Sequence, residues 1–222
     1  MDSKKIAADK AISFIENNMT VGLGTGTTAY WAIEGIGQKV KEGLKIKAIA
    51  TSKRSEDQAR SLGIHIISFA EIAQIDLTID GADEADKNLN LIKGGGGALL
   101  REKIVASNSR QLIIIADESK LVKKLGKFPL PVEVAIFGWE KTLEKLSALG
   151  CTPKLRIDKS AAYITDNGNY IIDCSFNEIQ DAAGLHDAIN SITGVMDNGL
   201  FINLATKLII GNEAGETKIF YK

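Results

Sequence analysis

The sequence predicts an α/β fold, in which a mostly parallel sheet carries helices on both faces and a smaller α+β domain follows. Short runs of Ile, Leu and Val alternate with helical segments through the first half. This pattern is typical of parallel strands that are buried on both faces. Glycine and polar residues follow several of these runs, at the strand ends where such sheets bind ligands. Near residues 126–134 the pattern changes, and two of the three prolines lie there.

The order of predicted elements indicates two domains. In the first half they are a strand at 20–25, a helix at 27–43, a strand at 45–50, a helix at 55–63, strands at 65–69 and 77–81, a helix at 98–108 and a strand at 111–117. In the second half they are a strand at 132–137, a helix at 138–150, strands at 152–157, 161–165 and 170–176, a helix at 181–194 and a strand at 195–202. If 152–157 and 161–165 form one bent strand, this order is β-α-β-β-α-β, the ferredoxin-like arrangement. A hairpin at 206–222 is predicted to return to the first sheet, which gives a larger domain of 1–127 with 204–222 and a small domain of 128–203.

Composition excludes several classes of protein. The net charge of the 222 residues is -1, which provides no general attraction to nucleic acid or to an anionic membrane. Cys151 and Cys174 are too few for a disulfide framework and lack metal-site spacing. The N-terminal pattern is that of an amphipathic helix, and no apolar run is long enough to span a bilayer. We therefore expect a protein of the reducing cytoplasm.

The stretch "GLGTGTT" joins the first predicted strand to a helix and is a candidate phosphate site. Helix N-termini expose N–H groups and the positive end of the helix dipole, and the hydroxyls of Thr25, Thr27 and Thr28 add donors. A dinucleotide fingerprint starting at Gly22 and Gly24 would need a third glycine where Thr27 stands, so a monophosphate fits better. The alternative is a purely structural turn between strand and helix.

The stretch "DGADEADKNLN" offers carboxylates directly after a buried strand. Asp80 and Asp83 could bind a hard metal, bind sugar hydroxyls or transfer protons. A calcium loop starting at Asp86 fails at both its glycine and its glutamate position, so an EF-hand is rejected. For Asp86 and Lys87 we expect a solvated loop.

The stretch "LIKGGGGALLREK" places four glycines between a lysine and a helix. Glycine loses more backbone freedom on folding than any other residue, so such a run indicates close backbone approach or unusual dihedral angles. Lys93 precedes the run, and Glu102 follows about one and a half turns into the predicted helix. A lone carboxylate near backbone N–H groups and a lysine suits a general base with an oxyanion partner. The alternative is that Glu102 pairs with Arg101 or Lys103 on the surface.

Together with "GKFPLPVEV", "IADESK" and "TDNGN", these stretches resemble type A ribose-5-phosphate isomerase, in order over almost the whole chain. The resemblance implies a Rossmann-like catalytic domain with a ferredoxin-like small domain. It implies isomerisation of D-ribose 5-phosphate and D-ribulose 5-phosphate through a cis-enediolate, in the non-oxidative branch of the pentose phosphate pathway. It also implies no metal and no organic cofactor, a pentose phosphate as the partner, and a homodimer or homotetramer.

The resemblance also implies roles for individual residues. Glu102 would move the proton between C1 and C2, and Asp80 would help to open the sugar ring. Lys93 and the amides of the glycine turn would stabilise the enediolate oxygen. The residues implied in substrate binding are Thr25, Gly26, Thr27, Thr28, Asp80, Gly81, Ala82, Asp83, Lys93, Gly94, Gly95, Gly96, Lys120 and Lys4. Thr27 stands where many members have serine, which keeps the hydroxyl.

Two other functions remain as alternatives. One is a fold relative such as a sugar-phosphate deaminase or a CoA transferase, the latter of which commonly uses a glutamate as nucleophile, although "DGADE" and "IKGGGG" favour the isomerase. A sugar-phosphate sensor would bind ribose 5-phosphate without converting it, but no basic recognition helix is visible in the sequence.

Overall fold

The structure is a computed structural model and describes residues 2–222. Its helices are α1 (Ser3–Ile12), α2 (Thr27–Lys41), α3 (Lys53–Ser61), α4 (Leu99–Ser107), α5 (Trp139–Ser147) and α6 (Ala182–Asn190). Its strands are β1 (Thr20–Leu23), β2 (Lys47–Ala50), β3 (Ile75–Gly81), β4 (Glu84–Ala85), β5 (Leu91–Ile92), β6 (Ser109–Asp117), β7 (Leu130–Val134), β8 (Thr152–Leu155), β9 (Ile157–Asp158), β10 (Ala161–Ala162), β11 (Tyr170–Ser175), β12 (Val195–Asn198), β13 (Leu200–Phe201), β14 (Lys207–Gly211) and β15 (Thr217–Tyr221). Within residues 2–222, no helix has the length and apolar character needed to cross a bilayer.

The chain forms two compact units. The first contains the residues up to Ala82, Arg101–Leu121 and Asn203–Lys222, and the second contains Asp83–Leu100 and Val122–Ile202. The chain passes from the second unit into the first within α4. The domain boundaries expected from the sequence, at 127/128 and 203/204, remain a prediction.

The first unit is built on a six-stranded sheet of order β15-β14-β6-β3-β1-β2. All neighbours are parallel except the β14–β15 pair at one edge. The mostly parallel sheet is thus confirmed, and so is the return of the C-terminal hairpin to it.

Helices cover both faces of this sheet. Successive strand residues point to opposite sides, so each strand packs against helices through both sets of side chains. On one face, Leu77 and Ile79 of β3 pack with Ala8 of α1 and Ala32 of α2. On the other face, Val105 of α4 packs with Ile49 of β2. These residues are nearly inaccessible to solvent, so the strands read as continuous apolar runs.

The prediction of a strand at 65–69 is wrong. Its residues form a single bridge, Ile66 to Ala48, beside the edge strand β2. The chain then enters a 3-10 turn at Phe69–Glu71, where the side chains of Ser68 and Glu71 form a capping box. The cap gives the backbone an alternative to further pairing.

The second unit contains a four-stranded antiparallel sheet of order β12-β7-β11-β8. Helix α5 lies between β7 and β8 in the chain, and α6 lies between β11 and β12. The order is therefore β-α-β-β-α-β, as predicted. Leu146 of α5 and Ile189 of α6 pack with Val132 and Ile172 of the sheet to form one core.

Two details of this unit differ from the prediction. Residues 152–157 and 161–165 do not form one bent strand, because β9 and β10 pair with each other in a separate hairpin. Lys159 at this turn adopts a positive φ of 57°. The strand predicted at 195–202 is divided at Gly199, and β13 leaves the four-stranded sheet to pair with β5. A small sheet of order β13-β5-β4 results, and β5 ends immediately before Lys93.

Candidate active site

In the first unit, the turn between β1 and α2 is built against Asp80. The Asp80 Oδ1 atom accepts hydrogen bonds from the N–H of Thr25 at 3.1 Å and from the N–H of Gly81 at 2.7 Å. A Cβ atom at Gly24 would lie 2.2 Å from Asp80 Oδ1, so only glycine permits this approach. Gly26 then caps α2 with a φ of 105° and no side-chain hydrogen bond at the cap. The glycines of "GTGTT" therefore bring a strand-end carboxylate, which is 1% exposed, against the turn.

The hydroxyl of Thr25 belongs to a cluster that the sequence did not reveal. Its Oγ1 atom lies 2.7 Å from Oγ1 of Thr51, 2.8 Å from Oγ of Ser52 and 3.2 Å from Oγ of Ser55. Ser55 in turn donates to the carbonyl of Gly24 at 2.7 Å. Three of these partners are buried, and the available signal was the "ATS" that ends the neighbouring strand. Thr25 thus braces the turn as well as contributing polar groups to it.

Lys4 lies beside the same turn. Its Nζ atom donates to Oγ1 of Thr27 at 3.2 Å, although 23 residues separate the two in sequence. Thr27 is exposed, and the turn keeps its hydroxyl accessible. Lys120 ends a 3-10 turn at Glu118–Lys120 after β6, and within residues 2–222 no hydrogen bond joins it to Lys4 or Thr27. The structure therefore brings together Lys4 and Thr27, both of which the resemblance implies in substrate binding.

In the second unit, Lys93 is buried at the end of β5. It is 2% exposed, and its backbone N–H donates to the carbonyl of Gly199 at 2.9 Å. Its ammonium lies 5.5 Å from the centroid of the Phe201 ring, a cation–π distance. Strand β13 supplies Phe201 and follows Gly199 directly, so the division of the predicted last strand helps to place this lysine.

The glycine run forms a tight turn. Gly94 and Gly97 have φ values of 99° and 82°, and the N–H of Gly97 donates to the carbonyl of Gly94 at 2.9 Å. Between them, the N–H of Gly95 donates to Oδ2 of Asp83 at 2.8 Å. The expected positive dihedral angles are found at the two ends of the run, whereas close approach explains Gly95. One of the amides expected to face a ligand is therefore occupied by a protein carboxylate.

Two residues near this turn were missed from the sequence. Arg156 donates through Nη1 to the carbonyls of Gly94 at 3.0 Å and Gly95 at 3.1 Å. The hydroxyl of Tyr163 lies 3.5 Å from the carbonyl of Gly96. Neither residue lies near the run in sequence, so no local pattern could have linked them to it.

Glu102 lies in the first turn of α4, slightly earlier in the helix than expected, because α4 begins at Leu99 rather than at residue 98. The residue is 4% exposed. Its carboxylate is therefore buried, whereas a surface pair with Arg101 or Lys103 would place it in solvent.

The Asp86 loop takes a structural role. Oδ1 of Asp86 accepts the N–H groups of Asn88 at 2.8 Å and Asn90 at 2.9 Å, which closes the turn, and Lys87 is exposed. Across residues 2–222, no group of three or more His, Cys, Asp or Glu side chains is placed to hold a metal ion. Asp80 and Asp83 each accept a hydrogen bond from a backbone N–H group, of Thr25 and Gly95 respectively.

These features define the class: an α/β protein whose first unit places polar residues at the carboxyl ends of parallel strands, where such sheets bind ligands. The family model for ribose 5-phosphate isomerase A (phosphoriboisomerase A) matches residues 47–215, and the chain belongs to this family. The ribose-5-phosphate isomerase A of Bacillus mycoides is 54% identical over 216 residues, which cover 97% of this chain and 98% of the relative.

Solved structures agree with the sequence comparisons. The ribose 5-phosphate isomerase of Plasmodium falciparum has a TM-score of 0.95 and 46% identity, covering 99% of this chain and 97% of that one. A D-ribose-5-phosphate isomerase in complex with phospho-erythronic acid has a TM-score of 0.96 and 40% identity, with both chains fully covered.

Proposed function

We propose that the chain interconverts D-ribose 5-phosphate and D-ribulose 5-phosphate through a cis-enediolate, in the non-oxidative branch of the pentose phosphate pathway. The observation that carries this proposal is the 54% identity to a ribose-5-phosphate isomerase A along nearly the full length of both chains. The proposal includes a homodimer or homotetramer in the cytoplasm, acting without metal or organic cofactor.

The proposed chemistry moves one proton between neighbouring carbons. Glu102 takes the proton from C2 of the open-chain aldose, and the electrons pass to the carbonyl oxygen on C1. Glu102 then returns the proton to C1 while the proton of the C2 hydroxyl passes to the oxygen on C1, so that C2 becomes the ketone and C1 the alcohol. A carboxylate can remove such a weakly acidic proton only when the developing oxyanion is stabilised in place. Burial of Glu102 at 4% exposure and of Lys93 at 2% supports these roles, because charges act more strongly away from water.

The remaining proposed roles concern binding. Asp80, held by two N–H groups, helps to open the sugar ring, and Asp83 binds a hydroxyl. The 25–28 turn, Lys4 and Lys120 hold the phosphate. A hydrogen bond from the Lys4 ammonium to Thr27 supports its place in this set.

Formation of ribulose 5-phosphate by purified protein in excess EDTA tests the proposal. Turnover under these conditions is the expected result. Activity lost with EDTA would make the Asp80 and Asp83 region a metal site. Binding of ribose 5-phosphate without conversion would identify a sensor, and acyl-CoA turnover would identify a transferase.

Replacing Lys4 with glutamine is expected to raise KM for ribose 5-phosphate and to leave kcat nearly unchanged. A hydrogen bond to a charged group contributes about 1.5–3 kcal/mol, so KM should rise roughly 10- to 100-fold. Initial-rate kinetics measure the effect. Lys5→Gln is the matched control, because Lys5 pairs with Asp9 in solvent and should change neither constant. Equal KM values for Lys4→Gln and Lys5→Gln would remove Lys4 from the phosphate site.

A further inference from the structure

The guanidinium of Arg156 binds Asp173 through two of its nitrogens and the glycine turn through the third. Nε donates to Oδ2 of Asp173 at 2.9 Å, and Nη2 donates to Oδ1 of the same carboxylate. Such bidentate pairs fix the plane of the guanidinium. Nη1 is left to donate to the carbonyls of Gly94 and Gly95 at 3.0 and 3.1 Å. The arginine side chain is only 15% exposed, which strengthens these bonds relative to a surface pair.

The carbonyl side of the turn is closed by a second side chain. The guanidinium carbon of Arg156 lies 5.9 Å from the centroid of the Tyr163 ring. Burial raises the pKa of Tyr163, so its phenol stays protonated as a donor beside the Gly96 carbonyl. A Cβ atom at Gly97 would lie 2.2 Å from the phenol oxygen, so this packing also requires glycine. Arg156 and Tyr163 together occupy the side of the turn to which its carbonyls point.

The N–H of the peptide that joins Gly95 to Gly96 differs in its hydrogen bonding from the N–H groups of Gly95 and Gly97. The N–H of Gly95 is occupied by Asp83, and the N–H of Gly97 by the Gly94 carbonyl. The N–H of Gly96 donates to no residue within 2–222, and Gly96 is exposed. In this trans peptide, the Gly96 N–H points away from the carbonyl that Arg156 holds. A hydrogen bond from a cation to the carbonyl polarises the amide, which makes that N–H a stronger donor.

We propose that Arg156, fixed by Asp173, is a positioning residue that orients and polarises the Gly95–Gly96 peptide, so that the N–H of Gly96 donates to the enediolate oxygen. This inference rests on the proposed isomerase function. Arg156 acts through the peptide and touches no reacting atom. Its effect is greatest when the oxygen is negative, so it acts on the transition state more than on the bound substrate.

The test compares the kinetics of Arg156→Gln, Arg156→Lys and Asp173→Asn with those of wild type. Removing one oxyanion donor lowers kcat by about 10²–10³-fold, and Arg156→Gln weakens a donor without removing it, so a fall of roughly 10- to 100-fold is expected. KM should stay within about threefold, because the ground-state carbonyl is neutral. The kcat values of Arg156→Lys and Asp173→Asn should lie between those of wild type and Arg156→Gln, since each variant keeps a cation but loses the bidentate pair.

Amide hydrogen exchange provides a readout that does not depend on activity. Exchange at residues 94–97 should be faster in Arg156→Gln than in wild type, while exchange in the β1–β3–β6 strands stays unchanged. Arg110→Gln is the control, because Arg110 is an exposed arginine paired with Gln74 and Asp76. It should leave kcat and the exchange at 94–97 unaltered.

A folded Arg156→Gln enzyme with wild-type kcat would overturn this inference and leave the isomerase function standing. If KM of Arg156→Gln rose by the same factor by which kcat/KM fell, the inference would also be overturned. Arg156 would then stabilise the bound substrate and the transition state equally. Wild-type protein that does not convert ribose 5-phosphate would overturn the proposed function, and this inference with it.

Discussion

Glu102→Gln is expected to lower kcat by about 10²–10⁴-fold, the range that general-base catalysis contributes. Glutamine has nearly the same shape as glutamate but cannot accept the C2 proton. The residue is 4% exposed in the first turn of α4, so water does not readily replace it as the base. Substrate binding should be spared, because only proton transfer is removed. Absorbance of ribulose 5-phosphate gives kcat, and calorimetric titration of ribose 5-phosphate gives the affinity.

Glu56→Gln is the matched control for this prediction. Glu56 is a helical glutamate that pairs with Arg60 one turn later, and its side chain is 39% exposed. Its replacement should change neither kcat nor affinity, because exposed pairs contribute little. Near-normal turnover in Glu102→Gln would refute the assignment of the base, and a large loss of affinity would instead give Glu102 a binding role.

The strands of the first unit could be predicted because burial on both faces makes their sequence almost purely apolar. Ile113, Ile114 and Ile115 of β6 are fully buried, and so short a continuous apolar run indicates a buried strand rather than a helix. The strand predicted at 65–69 had similar composition but lies beyond an edge strand, where only Ile66 pairs. Apolar content alone therefore does not show whether a segment has a neighbouring strand long enough to pair with it.

The parts of the site that could be predicted are those whose residues lie close together in the sequence. Lys93, the glycine run and Glu102 lie within ten residues of one another, and glycine carries its own conformational signal. The hydroxyl cluster around Thr25 depends on the register that places Leu23 beside Ala50, which no local pattern determines. Arg156 reaches Gly95 across 61 residues, so only the folded second unit shows it as part of the turn.

Replacing Gly95 with valine is expected to reduce turnover to background, a loss of at least about 10²-fold, because displacing a catalytic donor by even 1 Å has this effect. A Cβ atom at Gly95 would lie 2.6 Å from Oδ1 of Asp83 and 3.0 Å from its Cγ, and the branched side chain adds two further methyl groups. The hydrogen bond from the Gly95 N–H to Asp83 must then break, and the turn that carries Gly96 must move. Initial rates and a thermal unfolding curve measure the two consequences separately.

Gly43→Val separates loss of the site from the general effect of replacing a glycine. Gly43 follows α2 with a φ of 111°, and a Cβ atom there would meet nothing within 4 Å. A side chain at this angle is strained, so the variant should be less stable, by about 1–2 kcal/mol, yet turn over substrate normally. Gly95→Val should show the opposite pattern, with activity falling further than stability. If it remained folded and active, Asp83 and the glycine turn could tolerate separation, and the run would not serve as a cradle for the substrate.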